Sequence, residues 1–159
     1  MPHLSILNGF APTSMRSVTS VPPPAISPRR ALVDTSVLIN IESVDADQLP
    51  EEMAISALSL AQLAAGPHAT KDLAERARRQ ERLQRAEATF VPLPFDTEAA
   101  RAYGRVYASV AVLGRKAKGH RAVDLLIAAT AVAARLPLYT RNPSDFEGLD
   151  QFLGVVAIS

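Results

Sequence analysis

The most apolar stretch of the chain runs from Ala122 to Pro137, and only three of its members are not apolar: Asp124, Thr130 and Arg135. Its length and composition predict a buried helix that forms part of the core. Asp124 is predicted to lie in the first turn of this helix. An unpaired buried carboxylate is costly, so it normally needs a cation, a metal ion or strong hydrogen-bond donors. The stretch therefore predicts a core helix that begins at a polar site.

Short apolar segments alternate with helical patterns along residues 30–159. The predicted strands are Ala31–Val33, 53–56, 89–94, 136–140 and 154–159. The first predicted helix follows the first strand and is capped by Thr35 and Ser36. The next are 57–66 and 70–88, the latter with Leu73, Ala77 and Leu83 on its apolar side. The last two are 96–114, with Asp96 as N-cap, and the apolar stretch described above. Such alternation favours one α/β domain with a mainly parallel central sheet.

Composition and charge exclude several classes of protein. The chain has no Cys, which excludes disulfides and thiolate metal sites, and its net charge of +1 indicates no global affinity for nucleic acid. No apolar run reaches the roughly 18 to 20 residues of a membrane span, and the first residues lack the features of a secretory signal. Residues 1–29 are rich in Pro, Ser and Thr and are predicted to be a disordered tail. We expect a cytoplasmic globular protein that does not enter a membrane.

Three acidic side chains stand where the predicted elements meet. Asp34 comes directly after Ala31–Val33, Asp145 lies in the turn after 136–140, and Asp124 begins the apolar helix. Because ligands of parallel sheets bind at the carboxyl ends of strands, we expect these carboxylates to meet. Carboxylates that share a site repel one another unless a divalent cation neutralises them, and Mg²⁺ or Mn²⁺ prefers such ligands. The three acids are therefore predicted to bind Mg²⁺ (or Mn²⁺) and to support phosphodiester hydrolysis.

Four segments, in this order, resemble the motifs of a PIN domain of the VapC toxin type: LVDTSVLI, ISALSLAQLAAG, AVDLLIAATA and LYTRNPSDF. The resemblance covers residues 30–159 and implies a three-layer α/β/α fold. It also implies a metal-dependent endoribonuclease that is a homodimer and is inhibited by a cognate VapB-like antitoxin. The family's first acidic ligand corresponds to Asp34, its third to Asp124, and the Thr of its TRN motif to Thr140. The residues expected to support the acids are Thr35, Ser36, Thr140 and Asn142.

Gln62 departs from the family pattern. Where the family usually has Glu in LAEL, this chain has LAQL, and an amide ligates hard cations less well than a carboxylate. Gln62 is nevertheless predicted to occupy the catalytic position. Three explanations stay open: drift in a weakened enzyme, a position that only supports catalysis, or a change introduced to inactivate a toxic protein. A non-catalytic PIN-like module that binds RNA or an antitoxin also stays open.

A second departure lies after the TR motif, where many members carry an acid and this chain has Asn142. The acids counted here are therefore Asp34, Asp124 and Asp145, against the usual four. Structural roles compete for each of them: Asp34 is a favoured N-cap, Asp124 suits a helix N-terminus, and Asp145 suits a turn. A phosphatase of the haloacid-dehalogenase kind would need a second Asp where Ser36 stands, which argues against that class.

Basic residues cluster just before the apolar helix and after the fourth predicted strand. The residues predicted to guide an RNA backbone are Arg115, Lys116, Lys118, Arg121 and Arg141. A charge run is usually a solvated loop, but beside an acidic metal site it suits phosphate contact. The charged side of the helix 70–88 is instead predicted to be a solvated face with i,i+4 ion pairs.

Overall fold

The structure is a computed structural model, and it describes residues 29–159. The predicted tail at residues 1–29 therefore lies outside the described residues, except for Arg29. The strands are β1 (Arg30–Val33), β2 (Glu52–Ala54), β3 (Leu138–Thr140) and β4 (Val155–Ala157). The α-helices are α1 (Thr35–Ile39), α2 (Ala57–Ala65), α3 (Leu73–Thr89), α4 (Thr97–Val112) and α5 (His120–Ala134). The 3₁₀ turns are Ile41–Ser43, Ala46–Gln48, Gly66–Ala69 and Pro143–Phe146.

The strands of this region form one parallel sheet in the order β2-β1-β3-β4. Leu32 of β1 is in register with Ala54 of β2 on one side and with Leu138 of β3 on the other. A parallel pair cannot be joined by a tight turn, so each connection crosses over: α1 lies between β1 and β2, helices α2 to α5 lie between β2 and β3, and a 3₁₀ turn with its flanking loops lies between β3 and β4. The predicted α/β fold with a mainly parallel sheet is confirmed.

Helices cover both faces of the sheet. Successive side chains of β1 point to opposite faces, so Leu32 packs in a core formed with α4 and α5. Ala31 and Val33 face the other way, into a second core to which α1, α2 and α3 contribute. The fold therefore has the three α/β/α layers expected from the resemblance.

The prediction of a strand at residues 89–94 is wrong. Within this segment, Leu93 makes a single parallel bridge to Ser56 and no regular ladder follows. Pro92 and Pro94 have no backbone N–H, so they cannot donate the hydrogen bonds of a continuing strand.

Helix α3 does not bury the apolar side predicted for it. Leu73 is 76% exposed and Ala77 is also exposed, whereas Leu83 is half-buried and Ala86 is buried. The first turns of α3 lie beside the 3₁₀ turn Gly66–Ala69 rather than over the sheet, so only its second half reaches the core.

Helix α5 is the predicted apolar helix, and both its ends are defined by residues with positive φ. It begins after Gly119, whose φ is 59°, and ends at Arg135, whose φ is 55° in the left-handed region. Asp124 is consequently the fifth residue of α5 rather than a member of its first turn, because the helix starts earlier than predicted. No helix among residues 29–159 is long and apolar enough to cross a membrane.

Candidate functional site

A cleft of about 620 Å³ opens where β1 and β3 end. The predicted site residues that line it are Asp34, Thr35, Ser36, Gln62, Asp124, Asn142 and Asp145. They come from the start of α1, from α2, from α5 and from the turn after β3, which are distant in sequence. The parallel sheet brings them together because its strand ends share one edge.

Asp34 is held by three hydrogen bonds. Its Oδ1 accepts from the backbone N–H of Thr35 at 2.8 Å, which makes Asp34 the N-cap of α1. Its Oδ2 accepts from the hydroxyls of Ser36 and Thr140, both at 2.9 Å. The prediction that Thr35 and Ser36 cap this helix is wrong, since Asp34 caps it and they lie inside it. Asp34 therefore both caps α1 and lines the cleft.

The two hydroxyls on Asp34 are themselves oriented by the backbone that follows β3. Ser36 Oγ accepts from the N–H of Arg141 at 3.2 Å, and Thr140 Oγ1 accepts from the N–H of Asn142 at 3.0 Å. Each hydroxyl thus donates its proton to Asp34 Oδ2 and accepts one backbone N–H with its oxygen. The structure therefore presents Asp34 with a fixed orientation at 4% exposure.

Asp124 has no such support. Its carboxylate makes no hydrogen bond or ion pair within residues 29–159, and its side chain is half-buried. Burial raises the pKa of Asp124 to about 6, and the negative charges of Asp34 and Asp145 act in the same direction. Asp124 is therefore coupled by charge to the other two acids, and its charged form is less favourable than in water, although the positive charges of His120 and Arg121 act in the opposite direction.

The donor set fits a hard divalent cation, although the ligands are not gathered in advance. Within the described residues, no three His, Cys, Asp or Glu side chains lie close enough to form a ready-made metal cluster. Asp34, Asp124 and Asp145 thus line the same cleft, but their side chains are not already close enough to form a metal site. Coordination of one ion by all three stays a prediction.

Gln62 lies against the start of α1. Its Oε1 accepts a hydrogen bond from the hydroxyl of Thr35, and that hydroxyl is also 2.9 Å from Ser59 Oγ. Ser59 is fully buried and was not predicted as a site residue. The sequence feature that could have identified Ser59 is its position three residues before Gln62, on the same face of α2.

The predicted RNA-contacting residues lie outside the cleft lining. Arg115 donates to the carbonyl of Ser144 at 3.1 Å and pairs with Glu147, which ties the basic loop to the turn that carries Asp145. Lys116 and Lys118 are exposed, whereas Arg121 and Arg141 are half-buried. Their contact with RNA stays a prediction.

Helix α3 contributes cleft residues that the sequence analysis assigned to a solvated face. The predicted i,i+4 ion pair is present, since Arg79 Nε lies 2.9 Å from Glu75 Oε1. However, Glu75, Arg79 and Arg82 also line the cleft, as does His120 from the start of α5. The sequence feature that could have predicted this is the i, i+4, i+7 spacing of the three α3 residues, which places them on one face of the helix.

Replacing Asp124 with asparagine should stabilise the metal-free protein at neutral pH. Because the pKa of Asp124 in the folded protein, about 6, exceeds the ordinary value of 3.8, its negative charge lowers the free energy of unfolding as the pH rises from 3.8 to 6. The side chain is only half-buried, so after solvent screening we expect a gain of about 1 kcal/mol. The gain should appear between these two pH values, persist above pH 6 and be absent below 3.8.

Thermal unfolding in EDTA across a pH series measures this gain. The matched control is Asp150→Asn, the same change at an exposed carboxylate. Equal pH profiles for Asp124→Asn and the unmodified chain would contradict the raised pKa of Asp124.

Comparison with known families gives one match to a family model. The model, described as the PIN domain, matches residues 31–150 and so includes all the cleft residues named above. Among curated proteins, none matches this chain.

Several solved structures are similar to this chain. A chain of VapBC-5 from Mycobacterium tuberculosis, a member of the VapBC family of toxin–antitoxin systems, is 34% identical with a TM-score of 0.71. The alignment covers 82% of this chain and 98% of that chain. A chain of FitAcB from Neisseria gonorrhoeae is 26% identical with a TM-score of 0.62, covering 79% and 95%. A chain of a toxin–antitoxin complex from Klebsiella pneumoniae is 28% identical with a TM-score of 0.56, covering 80% and 96%.

Proposed function

Because the chain belongs to the PIN-domain family, as a VapC-type member, we propose that it is the endoribonuclease toxin of a type II toxin–antitoxin pair. The proposed reaction is hydrolysis of RNA phosphodiester bonds with Mg²⁺ or Mn²⁺. The observation that carries the proposal is the cleft that Asp34, Asp124 and Asp145 share. The charges of Asp34 and Asp145 act on Asp124, whose carboxylate makes no hydrogen bond or ion pair in the part of the chain that the structure describes.

Asp34, Asp124 and Asp145 would hold the metal ion. When bound, a divalent cation would offset negative charge on the scissile phosphate and lower the pKa of a water molecule. Asp34 would be the most rigid ligand, since Ser36 and Thr140 fix its orientation. Rigid support of a ligand reduces the reorganisation needed during reaction.

The nuclease activity that we expect of this chain depends on Gln62. In our proposal its amide occupies the place of a fourth carboxylate, close to Thr35 and on the wall of the cleft. An amide can position a water molecule by hydrogen bonding, but it is not basic enough to remove a proton. We therefore expect a weakened or inactivated nuclease.

The proposed protein partner is a VapB-like antitoxin. Support comes from the similar solved chains, which are members of toxin–antitoxin complexes. A homodimer is proposed from the family resemblance. Exposed apolar side chains on α4, Tyr107 and Val112, are compatible with a protein contact on that helix.

A ribonuclease assay on the chain as written, with Mg²⁺ or Mn²⁺ and a single-stranded RNA, tests the proposal. We expect slow cleavage that EDTA abolishes, and an Asp34→Asn preparation controls for contaminating nuclease. The alternative, a non-catalytic module, is favoured by Gln62 alone. Binding of RNA and Mn²⁺ with no cleavage, by this chain and by Gln62→Glu, would support that module and overturn the nuclease.

A further inference from the structure

One stripe of α3 brings positive charge to the cleft that holds the three acids. Glu75, Arg79 and Arg82 line it, and α3 reaches it by packing against α2 and the turn Gly66–Ala69. The cleft therefore combines carboxylates from α1, α5 and the turn after β3 with guanidinium groups from a different side. Within residues 29–159 neither arginine makes an ion pair with Asp34, Asp124 or Asp145, so their positive charge is not used to neutralise those acids.

Arg79 is held in a defined position. Its Nε donates to Glu75 Oε1 at 2.9 Å, and one terminal nitrogen donates to the carbonyl of Gly66 at 3.0 Å. A guanidinium has five N–H donors in a fixed fork. Two of them are used here, and the others have no acceptor among residues 29–159. Arg79 is thus oriented and still able to bind an anion.

Arg82 has no anionic partner within the described residues. Every other arginine of α3 donates to a carboxylate or a carbonyl, as Arg76 does to Thr70 and Arg85 does to Glu42 and Glu81. Arg82 is half-buried at the cleft and makes no such contact. A partly desolvated guanidinium without a counter-charge is the group in this cleft most in need of an external anion.

We propose that Arg79 and Arg82 bind the RNA phosphate next to the one that is cleaved. This inference rests on the proposed function, because it requires RNA to enter the cleft. The acids with their cation would take one phosphate, and the neighbouring phosphate on the same strand would need its own positive charge. Guanidinium groups suit that task, since their planar forks match phosphate oxygens in two-point contacts. Phosphate contacts of this kind position the strand without reading its sequence.

Arg82→Gln tests the inference most cleanly, because Arg82 supports no other side chain. We expect its melting temperature to be unchanged. Affinity for a short fluorescein-labelled single-stranded RNA, measured by anisotropy in Ca²⁺, should fall by about tenfold for any sequence. The slope of log affinity against log salt should become shallower by about 0.7, the value for one phosphate contact on a single strand. Arg82→Lys should recover part of the affinity, since it keeps the charge and loses the fork.

The matched control is Arg85→Gln, the same change one turn further along α3 at a residue outside the cleft. It should leave RNA affinity and salt slope unchanged. The chain could cleave RNA while Arg82→Gln has the same RNA affinity and the same salt slope as the unmodified chain. That result would overturn this inference and leave the proposed function intact. Binding without cleavage, by this chain and by Gln62→Glu, would overturn the nuclease. The comparison of Arg82→Gln with Arg85→Gln would still decide the role of Arg82. Absence of RNA binding would overturn both.

A second experiment tests whether Arg79 and Arg82 contact a protein partner instead of RNA. Arg82→Gln and Arg85→Gln would each be co-expressed with the cognate antitoxin. If Arg82→Gln alone weakens that complex and leaves RNA affinity unchanged, the arginines serve the partner's carboxylates, and our inference is wrong.

Discussion

Gln62→Glu should raise metal-dependent RNA cleavage by roughly 10² to 10⁴-fold, the range that one positioned general base contributes. This corresponds to about 3 to 5 kcal/mol of activation free energy. A glutamate at this place adds a carboxylate to the set formed by Asp34, Asp124 and Asp145, which strengthens cation binding and supplies a group able to accept a proton from water.

The local geometry supports this replacement without rearrangement. Gln62 Oε1 already accepts from the hydroxyl of Thr35, and a carboxylate oxygen of the same size can accept that hydrogen bond equally well. The added charge should also lower the stability of the metal-free protein, because Asp34, Asp124 and Asp145 already repel one another there. Activity and metal-free stability should therefore change in opposite directions.

Initial rates at saturating Mn²⁺ and thermal unfolding in EDTA measure the two effects. Gln84→Glu is the matched control, since it makes the same chemical change on the exposed side of α3 and should alter neither quantity. Equal rates for Gln62→Glu and the unmodified chain at saturating Mn²⁺ would place Gln62 outside the catalytic machinery. The assignment of LAQL to the family motif would then be wrong.

Asp34→Asn, made in the Gln62→Glu background so that rates are measurable, should lower cleavage by more than roughly 100-fold. Removing a group that only supports a metal ligand costs about 10 to 100-fold, and loss of the ligand's own charge should cost more. Asparagine is also a good N-cap, so helix α1 should still form. The loss should appear both as weaker Mn²⁺ binding and as a lower rate at saturating metal.

Two variants separate this loss from a general effect of the substitution. Asp96→Asn changes another N-cap, which accepts from Ala99 N–H at 2.9 Å outside the cleft, and should leave cleavage unchanged. Thr140→Val removes one donor to Asp34 and should cost about 10-fold, less than loss of the acid itself. A fully active Asp34→Asn would remove Asp34 from the proposed metal site.

The strand-end acid and the core helix were predictable because both depend on local patterns. β1 is a short apolar strand followed at once by Asp34, and α5 is a continuous apolar stretch that only burial can stabilise. The N-cap at Asp96 was predicted correctly for the same reason, since capping involves neighbouring residues only. The segment 89–94 was assigned as a strand because its apolar residues outweighed two prolines that cannot donate to a ladder.

The role of α3 could not be predicted from its composition. A charged helix face has the same sequence pattern whether it borders bulk water or a cleft. Arg79 and Arg82 line the cleft because α3 packs on α2 and on the turn Gly66–Ala69, and those contacts depend on the path of the whole chain.

The sequence by itself determined the parallel α/β architecture, the acid that follows β1, and the presence of an amide, Gln62, in the LAQL segment. Periodicity and side-chain chemistry are properties of short segments, so they can be read without knowing what lies across the fold. Only the tertiary structure decided that Thr140 orients Asp34, and that Asp124 has a raised pKa and makes no hydrogen bond or ion pair within residues 29–159. Hydrogen-bond geometry, desolvation and charge coupling depend on distances in space between residues far apart in the chain.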